Sequence, residues 1–256
     1  MGRVIVIASG KGGVGKTTMT ANLGIALTKQ NKKTVLLDMD MGLRNIDVML
    51  GMENRVLDHL GDYFEGSLDW QEVLTTDERY PGLSVLAAAQ NLDPSLVTED
   101  SFARLIHELK ENFDLILIDA PAGIGPFFRL AIGQADEGIV VAQPVVPSVR
   151  DADKVLHLME DAGIRRRFIL LNGLRYTLLR HGITMTPQDI TEVLGTDLVG
   201  VVPEDVQAII ACNKGEPVVG TGCKSGRAIE RIAGRMCGMA IPMPALNKRR
   251  GGLFHR

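Results

Sequence analysis

The chain of 256 residues is poor in aromatic side chains and in cysteine. Aromatic residues make up only 4% of the sequence, which argues against a platform that stacks the bases of single-stranded nucleic acid. The three cysteines, Cys212, Cys223 and Cys237, form no CxxC pair. The sequence therefore offers no zinc or iron–sulfur ligand spacing and predicts reduced thiols.

The sequence also lacks an excess of positive charge and any long apolar run. With a net charge of −3, the chain as a whole does not attract DNA, although a local basic patch could still do so. The first apolar run, residues 4–8, is too short for a signal peptide or a membrane span. Val6 stands where a myristoylation motif requires Ser or Thr. We expect an intracellular protein whose contact with membranes is at most peripheral.

Short apolar runs alternate along the chain with longer segments of helical periodicity. Strands are predicted over 3–8, 34–38, 83–87, 114–119, 138–142, 168–172 and 198–202. Helices are predicted over 16–30, 99–111, 127–134, 148–161, 187–194, 205–212 and 225–239. The apolar runs lack polar alternation, so both faces of each strand should be buried. The pattern predicts a single α/β domain over 1–240, with a mostly parallel twisted sheet flanked by helices on both faces, and a tail over 241–256.

The segment SGKGGVGKTT, residues 9–18, carries the most specific motif. Gly10 to Thr17 matches G-x-x-x-x-G-K-[ST] in full and stands between a predicted strand and a predicted helix. In such a loop glycines let several backbone N–H groups face phosphates, and the helix N-terminus adds its positive dipole end. Lys16 should reach the β and γ phosphates, and the Thr17 hydroxyl should ligate Mg²⁺. The expected nucleotide-binding residues are Gly10, Lys11, Gly12, Gly13, Val14, Gly15, Lys16, Thr17 and Thr18.

Lys11 is a second lysine that this motif does not require. It could be a solvated loop charge, or it could reach a transferring phosphoryl group as an arginine finger does. A lysine at the start of the loop is badly placed to curl back onto its own γ-phosphate. It is better placed to reach a phosphate across a two-fold interface.

The stretch KGGVGKT resembles the deviant Walker A motif of the MinD/ParA ATPases, and the resemblance covers residues 3–239. In that family the early lysine crosses a dimer that encloses ATP and reaches the partner's phosphates. The resemblance thus implies a P-loop ATPase fold of the deviant Walker A type, with ATP and Mg²⁺ as cofactors. It also implies a homodimer in the ATP-bound state, with Lys11 and Lys16 as catalytic residues.

Three carboxylates and one glycine are expected to complete the active site. Asp38 and Asp40 follow a predicted strand at the edge where α/β sheets bind ligands. They could hold Mg²⁺-bound water or orient the attacking water, or they could cap a turn. We assign Asp38 to the metal and Asp40 to catalysis. Asp119 ends the run DLILID, which resembles a Walker B motif with metal contact through water. Gly123 could offer its N–H to the γ-phosphate as a switch, or it could belong to an ordinary turn.

An adenine pocket is expected after the last two predicted strands. Asn172 can pair with a base edge through both the donor and the acceptor of its amide. Pro203, Glu204 and Asp205 could line the other side of the base, although Pro-Glu-Asp is also a good helix start. The assignment of ATP and not GTP as the nucleotide rests mostly on the resemblance to the family.

Two segments resemble the MinD branch of the family, which positions bacterial division septa: residues 40–56 and 149–155. Ser148 and Asp151 predict a capping box, and an apolar stripe of Val149, Ala152, Val155, Leu156 and Met159 should be buried. Arg150, Asp151 and Asp153 then lie on the outer face. That face is either merely solvated or, as the resemblance implies, a contact for a MinC-like division inhibitor and for a MinE-like or DivIVA-linked topological factor.

Three positions depart from the pattern of that branch. Gly125-Pro126 replaces an acidic residue after P-A-G-I, which could loosen the coupling of the switch. Val146 stands where a glutamate is usual before the partner helix, which affects the expected regulator contacts. Gly173 replaces an arginine after Asn172, so a planar guanidinium that could stack on the base is lost.

The last twelve residues, ALNKRRGGLFHR, resemble a shortened amphipathic membrane anchor. Four cations near anionic lipid give roughly 4 kcal/mol, and two buried apolar side chains add at most ~3–6 kcal/mol. A single tail is therefore marginal, whereas two tails on a dimer gain effective concentration. The alternative is a disordered basic tail without function. The expected membrane residues are Lys248, Arg249, Arg250, Leu253 and Phe254.

The resemblance implies an ATP-hydrolysing switch that helps to place the division septum, cytoplasmic and reversibly bound at the cytoplasmic face of the membrane. One alternative is a ParA-like partition ATPase, with residues 165–167 and the tail on nucleoid DNA. The net charge of −3 does not favour nucleic acid as a partner. A flagellar-number regulator is a second alternative. A metallocluster carrier is disfavoured because no cysteine precedes Cys212.

Overall fold

A twisted sheet of eight strands runs through the centre of the computed structural model, which describes residues 1–244. The strands are β1 (Arg3–Ala8), β2 (Thr34–Asp38), β3 (Thr75–Thr76), β4 (Leu83–Leu86), β5 (Leu115–Asp119), β6 (Glu137–Ala142), β7 (Arg166–Leu174) and β8 (Leu198–Pro203). Their order is β3-β4-β2-β5-β1-β6-β7-β8. All neighbouring strands are parallel except β3, which is antiparallel to β4.

Ten α-helices lie between or after these strands within the described part of the chain. They are α1 (Lys16–Thr28), α2 (Ile46–Met49), α3 (Leu60–Phe64), α4 (Glu99–Asn112), α5 (Pro126–Gly133), α6 (Val146–Asp161), α7 (Tyr176–Arg180), α8 (Pro187–Leu194), α9 (Val206–Asn213) and α10 (Lys224–Met236). A 3₁₀ turn spans Pro94–Leu96. No helix in this part of the chain is both long and apolar enough to cross a bilayer.

Helices cover both faces of the sheet, as the apolar strand runs predict. In β1, Val4 and Val6 join the core that contains α4, α5, α6 and α8, while Ile5 and Ile7 join the core that contains α1 and α10. Successive residues of a strand point to opposite faces, and here both directions lead into a core. The α/β fold predicted from the sequence is confirmed.

The chain passes from β1 through α1 to β2, and β1 itself lies between β5 and β6. The carboxyl ends of these parallel strands meet at one edge of the sheet. In such folds ligands bind where the strand order reverses beside that edge. The segment after β1, which is the glycine-rich loop, lies at this position.

Most predicted elements are confirmed, with small differences at their ends. β7 extends to Arg166–Leu174 instead of 168–172, and α10 ends at Met236, shortly before Gly238 with its φ of +84°. The sequence analysis missed β3, α2, α3 and α7. Each of these has between two and five residues, which is too short for a periodic pattern.

The predicted start of α6 is wrong. The helix begins at Val146, and the preceding Val145 makes no capping bond through its side chain. Pro147, whose fixed φ suits the first turn, stands at the start of the helix instead. Ser148 accepts a hydrogen bond from the backbone N–H of Gln143 at 2.9 Å, so the expected capping box with Asp151 does not form.

Candidate functional site

The glycine-rich loop between β1 and α1 leaves open space beside its backbone. Gly13 and Gly15 have φ values of +79° and +93°, in the left-handed region that favours glycine. A Cβ atom built on Gly12 or Gly13 would have no heavy atom within 4 Å. Gly15 is the N-cap of α1, which has no capping side chain and no acidic residue in its first turn. The first N–H groups of α1 thus remain available to an anion.

Lys16, Thr17 and Asp119 converge at the base of this loop. Lys16 is 7% exposed, and its Nζ lies 3.0 Å from Oδ2 of the fully buried Asp119. The Thr17 hydroxyl donates to the same Oδ2 at 2.7 Å. Thr20, which the sequence analysis missed, donates to Oδ1 of Asp119 at 2.8 Å. Residues from two distant stretches of sequence thus form one polar cluster beneath the loop.

Asp38 lies beside Asp119, because the two residues are register partners on β2 and β5. Its carboxylate accepts the backbone N–H groups of Asp40 and Asn45, both at 3.0 Å, and of Ile46 at 3.2 Å. Burial, with a further contribution from the Asp119 charge, raises the pKa of Asp38 to about 6. Asp38 therefore holds the loop that follows β2, besides its expected role at the metal.

The oxygen atoms around Asp119 suit a hard cation that is only partly enclosed by protein. Within residues 1–244, no three His, Cys, Asp or Glu side chains are grouped so that they could hold a metal ion. Mg²⁺ in phosphate-transfer sites is usually bound by one or two protein oxygens together with phosphates and waters. The Thr17 hydroxyl and the carboxylates of Asp119 and Asp38 fit that arrangement, so the donor set is compatible with Mg²⁺ beside a nucleotide.

Asp40 is half-buried at the edge of this cluster. Its carboxylate accepts from Nδ2 of Asn45 at 3.3 Å. Burial raises the pKa of Asp40, the Lys16 charge opposes this, and the Asp119 charge adds to it. Asp40 therefore shares the electrostatic environment of Lys16 and Asp119, although its side chain bonds only to its own loop among the described residues.

Arg44 holds the same loop in an uncommon conformation. Its φ is +48°, a left-handed value that costs a non-glycine residue about 1 kcal/mol or more. Its Nε donates to Oδ2 of the buried Asp47 at 2.7 Å, and another guanidinium nitrogen donates to the carbonyl of Val56 at 3.0 Å. The sequence analysis missed Arg44 and Asn45 as individual residues, because no spacing rule marks them.

Lys11 and Gly123 lie on the open side of the site. Lys11 is exposed, and no carboxylate of residues 1–244 lies within 4.0 Å of its ammonium group. Gly123 has a φ of +91°, and a Cβ built on it would meet nothing within 4 Å. Next to it, Ile124 is 55% exposed. Both predicted contacts to the γ-phosphate are thus presented to solvent.

The residues expected around adenine lie at the ends of β7 and β8. Asn172 donates from Nδ2 to the carbonyl of Val14 at 2.8 Å, and a Cβ on Gly15 would collide with the same nitrogen. Pro203 is buried at the end of β8, while Glu204 is paired with Arg175 at 2.6 Å. The structure thus brings Asn172 onto the phosphate loop.

Asp205 has a structural role in the described chain. Its carboxylate caps α9 by accepting from the N–H of Gln207 at 3.1 Å, and it accepts from the N–H of Ser225 at 3.0 Å. The helix-start interpretation of Pro-Glu-Asp therefore holds. Contact of Asp205 with a base stays a prediction.

The predicted partner residues lie on the outer face of α6, whose apolar stripe is buried as predicted. Arg150 is exposed, and Asp151 and Asp153 are partly exposed. Oδ1 of Asp151 lies 3.5 Å from Nζ of Lys154. The backbone of Asp151 also packs against Gly10, so this face adjoins the phosphate loop.

The predicted membrane residues Lys248, Arg249, Arg250, Leu253 and Phe254 lie outside the described residues. Their role stays a prediction from the sequence.

Comparison with known proteins agrees with this geometry. The model of the CobQ/CobB/MinD/ParA nucleotide-binding domain matches residues 5–218. The septum site-determining protein MinD of Bacillus subtilis is 40% identical over 257 residues, which cover 99% of this chain and 96% of that protein.

Two solved structures are similar over nearly their whole length. The MinC:MinD cell division protein complex of Aquifex aeolicus has a TM-score of 0.87 at 38% identity and covers 96% of this chain and 98% of that one. MinD of Pyrococcus horikoshii, solved with Mg-ADP, has a TM-score of 0.82 at 28% identity, over 92% of this chain and 96% of that one. The chain therefore belongs to the CobQ/CobB/MinD/ParA nucleotide-binding family, and within it to the septum site-determining MinD proteins.

Proposed function

We propose that this chain is an ATP-hydrolysing switch, which dimerises around ATP and Mg²⁺ and in that state binds the membrane and division regulators. The observation that carries the proposal is the different environment of its two loop lysines. Lys16 is buried and paired with Asp119, whereas Lys11 is exposed and unpaired among the described residues. An exposed cation without a carboxylate partner within the described residues suits a phosphate bound to a second copy of the chain.

The loop and the first turn of α1 would bind the phosphates. Cβ atoms built on Gly12 and Gly13 would meet nothing within 4 Å, and Lys16 can exchange its contact with Asp119 for phosphate oxygens. This exchange would free Asp119 to accept from Mg²⁺-bound water, beside the hydroxyl of Thr17. The Mg-ADP complex of the Pyrococcus horikoshii relative supports both ligands.

Asp40 and Lys11 would act on the hydrolysis step. Bound Mg-ATP supplies a phosphoanhydride whose cleavage needs an oriented water and charge neutralisation. Asp40 would act from the loop after β2, and burial raises the pKa of its carboxyl, which makes it a better proton acceptor. Lys11 of the second copy would stabilise the negative charge that develops on the phosphoryl oxygens.

The face that carries the site exposes several large apolar side chains. Eight large apolar side chains on it are 41% exposed or more. All lie on segments that follow the carboxyl ends of strands: Leu43, Val48, Ile124, Val145, Val146, Val206, Ile209 and Ile210. Covering such a surface in the ATP-bound dimer would remove it from water.

Regulators would bind beside this face, at Arg150, Asp151 and Asp153 on α6. The MinC:MinD complex of Aquifex aeolicus supports a MinC-like division inhibitor as one partner. A topological factor of the MinE-like or DivIVA-linked type would be the other. Because α6 packs on the phosphate loop at Gly10, occupancy of the loop can be transmitted to this helix.

The arginines proposed as contacts for nucleoid DNA, residues 165–167, are largely paired with acids. Of the arginines proposed for that role, Arg166 pairs with Glu137 at 2.7 Å and Arg167 pairs with Glu160 at 3.1 Å. Two of the three charges are thus already compensated.

Sedimentation with vesicles of phosphatidylglycerol and phosphatidylcholine tests the proposal, with ATP or ADP, for the full chain and for a version that ends at Leu246. We expect only the full chain with ATP to pellet, and light scattering to show a dimer in ATP and a monomer in ADP. A dimer that forms equally in ADP would contradict the switch. If a dimer forms in ATP but does not pellet, the ATPase assignment stands and the proposed membrane binding is wrong.

A further inference from the structure

The outer face of α10 carries four cations in one row. Lys224, Arg227, Arg231 and Arg235 are spaced by three, four and four residues, which places them on one side of a helix. The opposite side, with Ile229, is buried against the sheet and α1. We call these four residues the α10 cationic face.

The positive charge of this face is not compensated within residues 1–244. None of the four cations has a carboxylate within 4.0 Å in that part of the chain. The one acid of α10, Glu230, is engaged elsewhere: its Oε1 lies 3.4 Å from Nζ of Lys29 and accepts from the N–H of Gly220 at 3.1 Å. Burial, together with the neighbouring Arg231 charge, lowers the pKa of Arg235.

A groove of about 300 Å³ runs along the face. Its walls are the four cations, Tyr176, and residues of β8 such as Val201, and no acid lines it. β8 is the last strand of the sheet, so the groove lies at the free edge of the molecule. Such a surface attracts an extended anion.

The chain leaves the described structure from this same surface. Pro244, the last described residue, lines the groove, and Arg235 donates to the carbonyls of Ile241 and Pro242, both at 3.3 Å. The twelve following residues contain Lys248, Arg249, Arg250 and Arg256 and no acid. The tail would therefore be repelled by the groove, and both would be attracted to the same external anion.

We propose that the α10 cationic face is a second membrane contact, which lies against anionic phospholipid headgroups while the tail inserts. Leu253 is nine residues beyond Pro244, so a chain of at most about 30 Å separates them. The apolar pair Leu253 and Phe254 can enter a bilayer but finds no such environment on DNA. The charge row and the tail can thus contact one surface together.

The proposal explains how a tail that is marginal by itself could suffice. Each cation close to an anionic bilayer strengthens binding about fivefold. Part of the membrane affinity would then belong to the folded domain, and the tail would supply the apolar insertion. This inference rests on the membrane binding proposed above.

The test compares the full chain with R227E/R231E and R227K/R231K on vesicles of phosphatidylglycerol and phosphatidylcholine in ATP. Arg235 is left unchanged because its guanidinium holds backbone carbonyls. We expect the glutamate variant to bind at least about 25-fold more weakly, because two attractive charges are lost. The lysine variant should bind like the unchanged chain, since a headgroup surface recognises charge and not a planar fork. Loss in both variants would contradict the electrostatic contact.

A matched control is R104E compared with R231E. Both residues are exposed on a helix, and both variants change the net charge equally, but Arg104 lies on α4, on the other side of the sheet. We expect only R231E to weaken vesicle binding, with ATP turnover and ATP-dependent dimerisation unchanged in both. Equal effects would overturn the assignment to α10.

Two further outcomes separate this inference from the proposed function. If the unchanged chain pellets with ATP and R227E/R231E pellets equally well, the α10 contact is wrong and the membrane cycle stands. If no form of the chain pellets with vesicles, both are wrong. Loss of binding to a nonspecific DNA duplex in R231E, without loss of vesicle binding, would assign the face to nucleic acid instead.

Discussion

Gly10 packs directly against Asp151 of α6. A Cβ atom built on Gly10 would lie 2.5 Å from both the Cβ and the carbonyl oxygen of Asp151. Because φ of Gly10 is not in the left-handed region, the close approach of the helix is what requires glycine here. The phosphate loop and the helix expected to contact division regulators thus form one packed unit.

Replacement of Gly10 by Ala should disrupt the packing of the phosphate loop against α6. The new methyl group must displace backbone atoms of α6, which costs about 1–3 kcal/mol of unfolding free energy, and we expect weaker binding of a fluorescent ATP analogue. Urea denaturation and a binding titration measure the two effects.

Gly12→Ala is the control for the stability measurement. A Cβ at position 12 would have no neighbour within 4 Å, so the nucleotide-free variant should unfold like the unchanged protein. Equal unfolding curves for Gly10→Ala and Gly12→Ala would refute the packing argument.

Substitution of each loop lysine should affect a different step: Lys16 is needed for nucleotide binding, and Lys11 for the function of the dimer. Lys16→Ala removes the buried cation beside Asp119 and should abolish ATP binding, whereas Lys11→Ala should leave binding to the monomer nearly unchanged. Lys11→Ala should nevertheless lose turnover and the ATP-dependent dimer, because its charge acts on the second copy. Equilibrium titration, light scattering and phosphate release distinguish these outcomes, and retained affinity in Lys16→Ala would refute the loop assignment. Circular dichroism checks that Lys16→Ala is folded.

Asp40→Ala should permit an ATP dimer and stop turnover. The carboxylate bonds only to Asn45 of its own loop among the described residues, so its removal should cost little stability. Light scattering with ATP and a phosphate-release assay are the measurements. A monomer with normal hydrolysis would disprove both the role of Asp40 and the need for the dimer.

The sequence predicts the parts of this molecule that are long and periodic or that follow a spaced motif. All seven predicted strands and seven predicted helices are present. The apolar runs predict the strands, helical periodicity predicts helices such as α4 and α10, and the phosphate-loop motif predicts the start of α1. The contact between Gly10 and Asp151 joins residues on different elements, and only the folded chain brings them together. Thr20 and Asn45 are not marked individually by any spacing rule, since their roles depend on where Asp119 and Asp40 lie in space.

Asp38 should make the nucleotide-free protein less stable as the pH rises. Its pKa is about 6 in the folded chain against 3.8 as its ordinary value, so between these values the folded state binds more protons than the unfolded state. The contribution of Asp38 to the free energy of unfolding therefore falls by about 3 kcal/mol as the pH rises from about 4 to about 6, and is constant above.

Asp38→Asn isolates this contribution from the other titrating groups. The variant cannot ionise at position 38, and its amide oxygen can still accept part of the loop's N–H bonds. Denaturation in the presence of a chelator, at several pH values, should show a shallower fall between pH 4 and 6 for the variant. If the free energy of unfolding depends on pH in the same way in both proteins, the buried carboxyl of Asp38 does not titrate between pH 4 and 6.

Thr20→Val should weaken the centre of the site without changing its shape. The Thr20 hydroxyl is buried and donates to Oδ1 of Asp119 at 2.8 Å, with the carbonyl oxygen of Lys16 as a second acceptor at 3.1 Å. Valine fills nearly the same volume but leaves one carboxylate oxygen of Asp119 without that donor, which costs about 1–3 kcal/mol of unfolding free energy. Asp119 should then hold its remaining partners, Lys16 and Thr17, more tightly, so the exchange of Lys16 onto phosphate becomes less favourable. We expect a lower melting temperature together with weaker binding of Mg-ATP, measured by calorimetry. A variant that melts earlier and binds Mg-ATP normally would confine Thr20 to the fold and separate it from the nucleotide site.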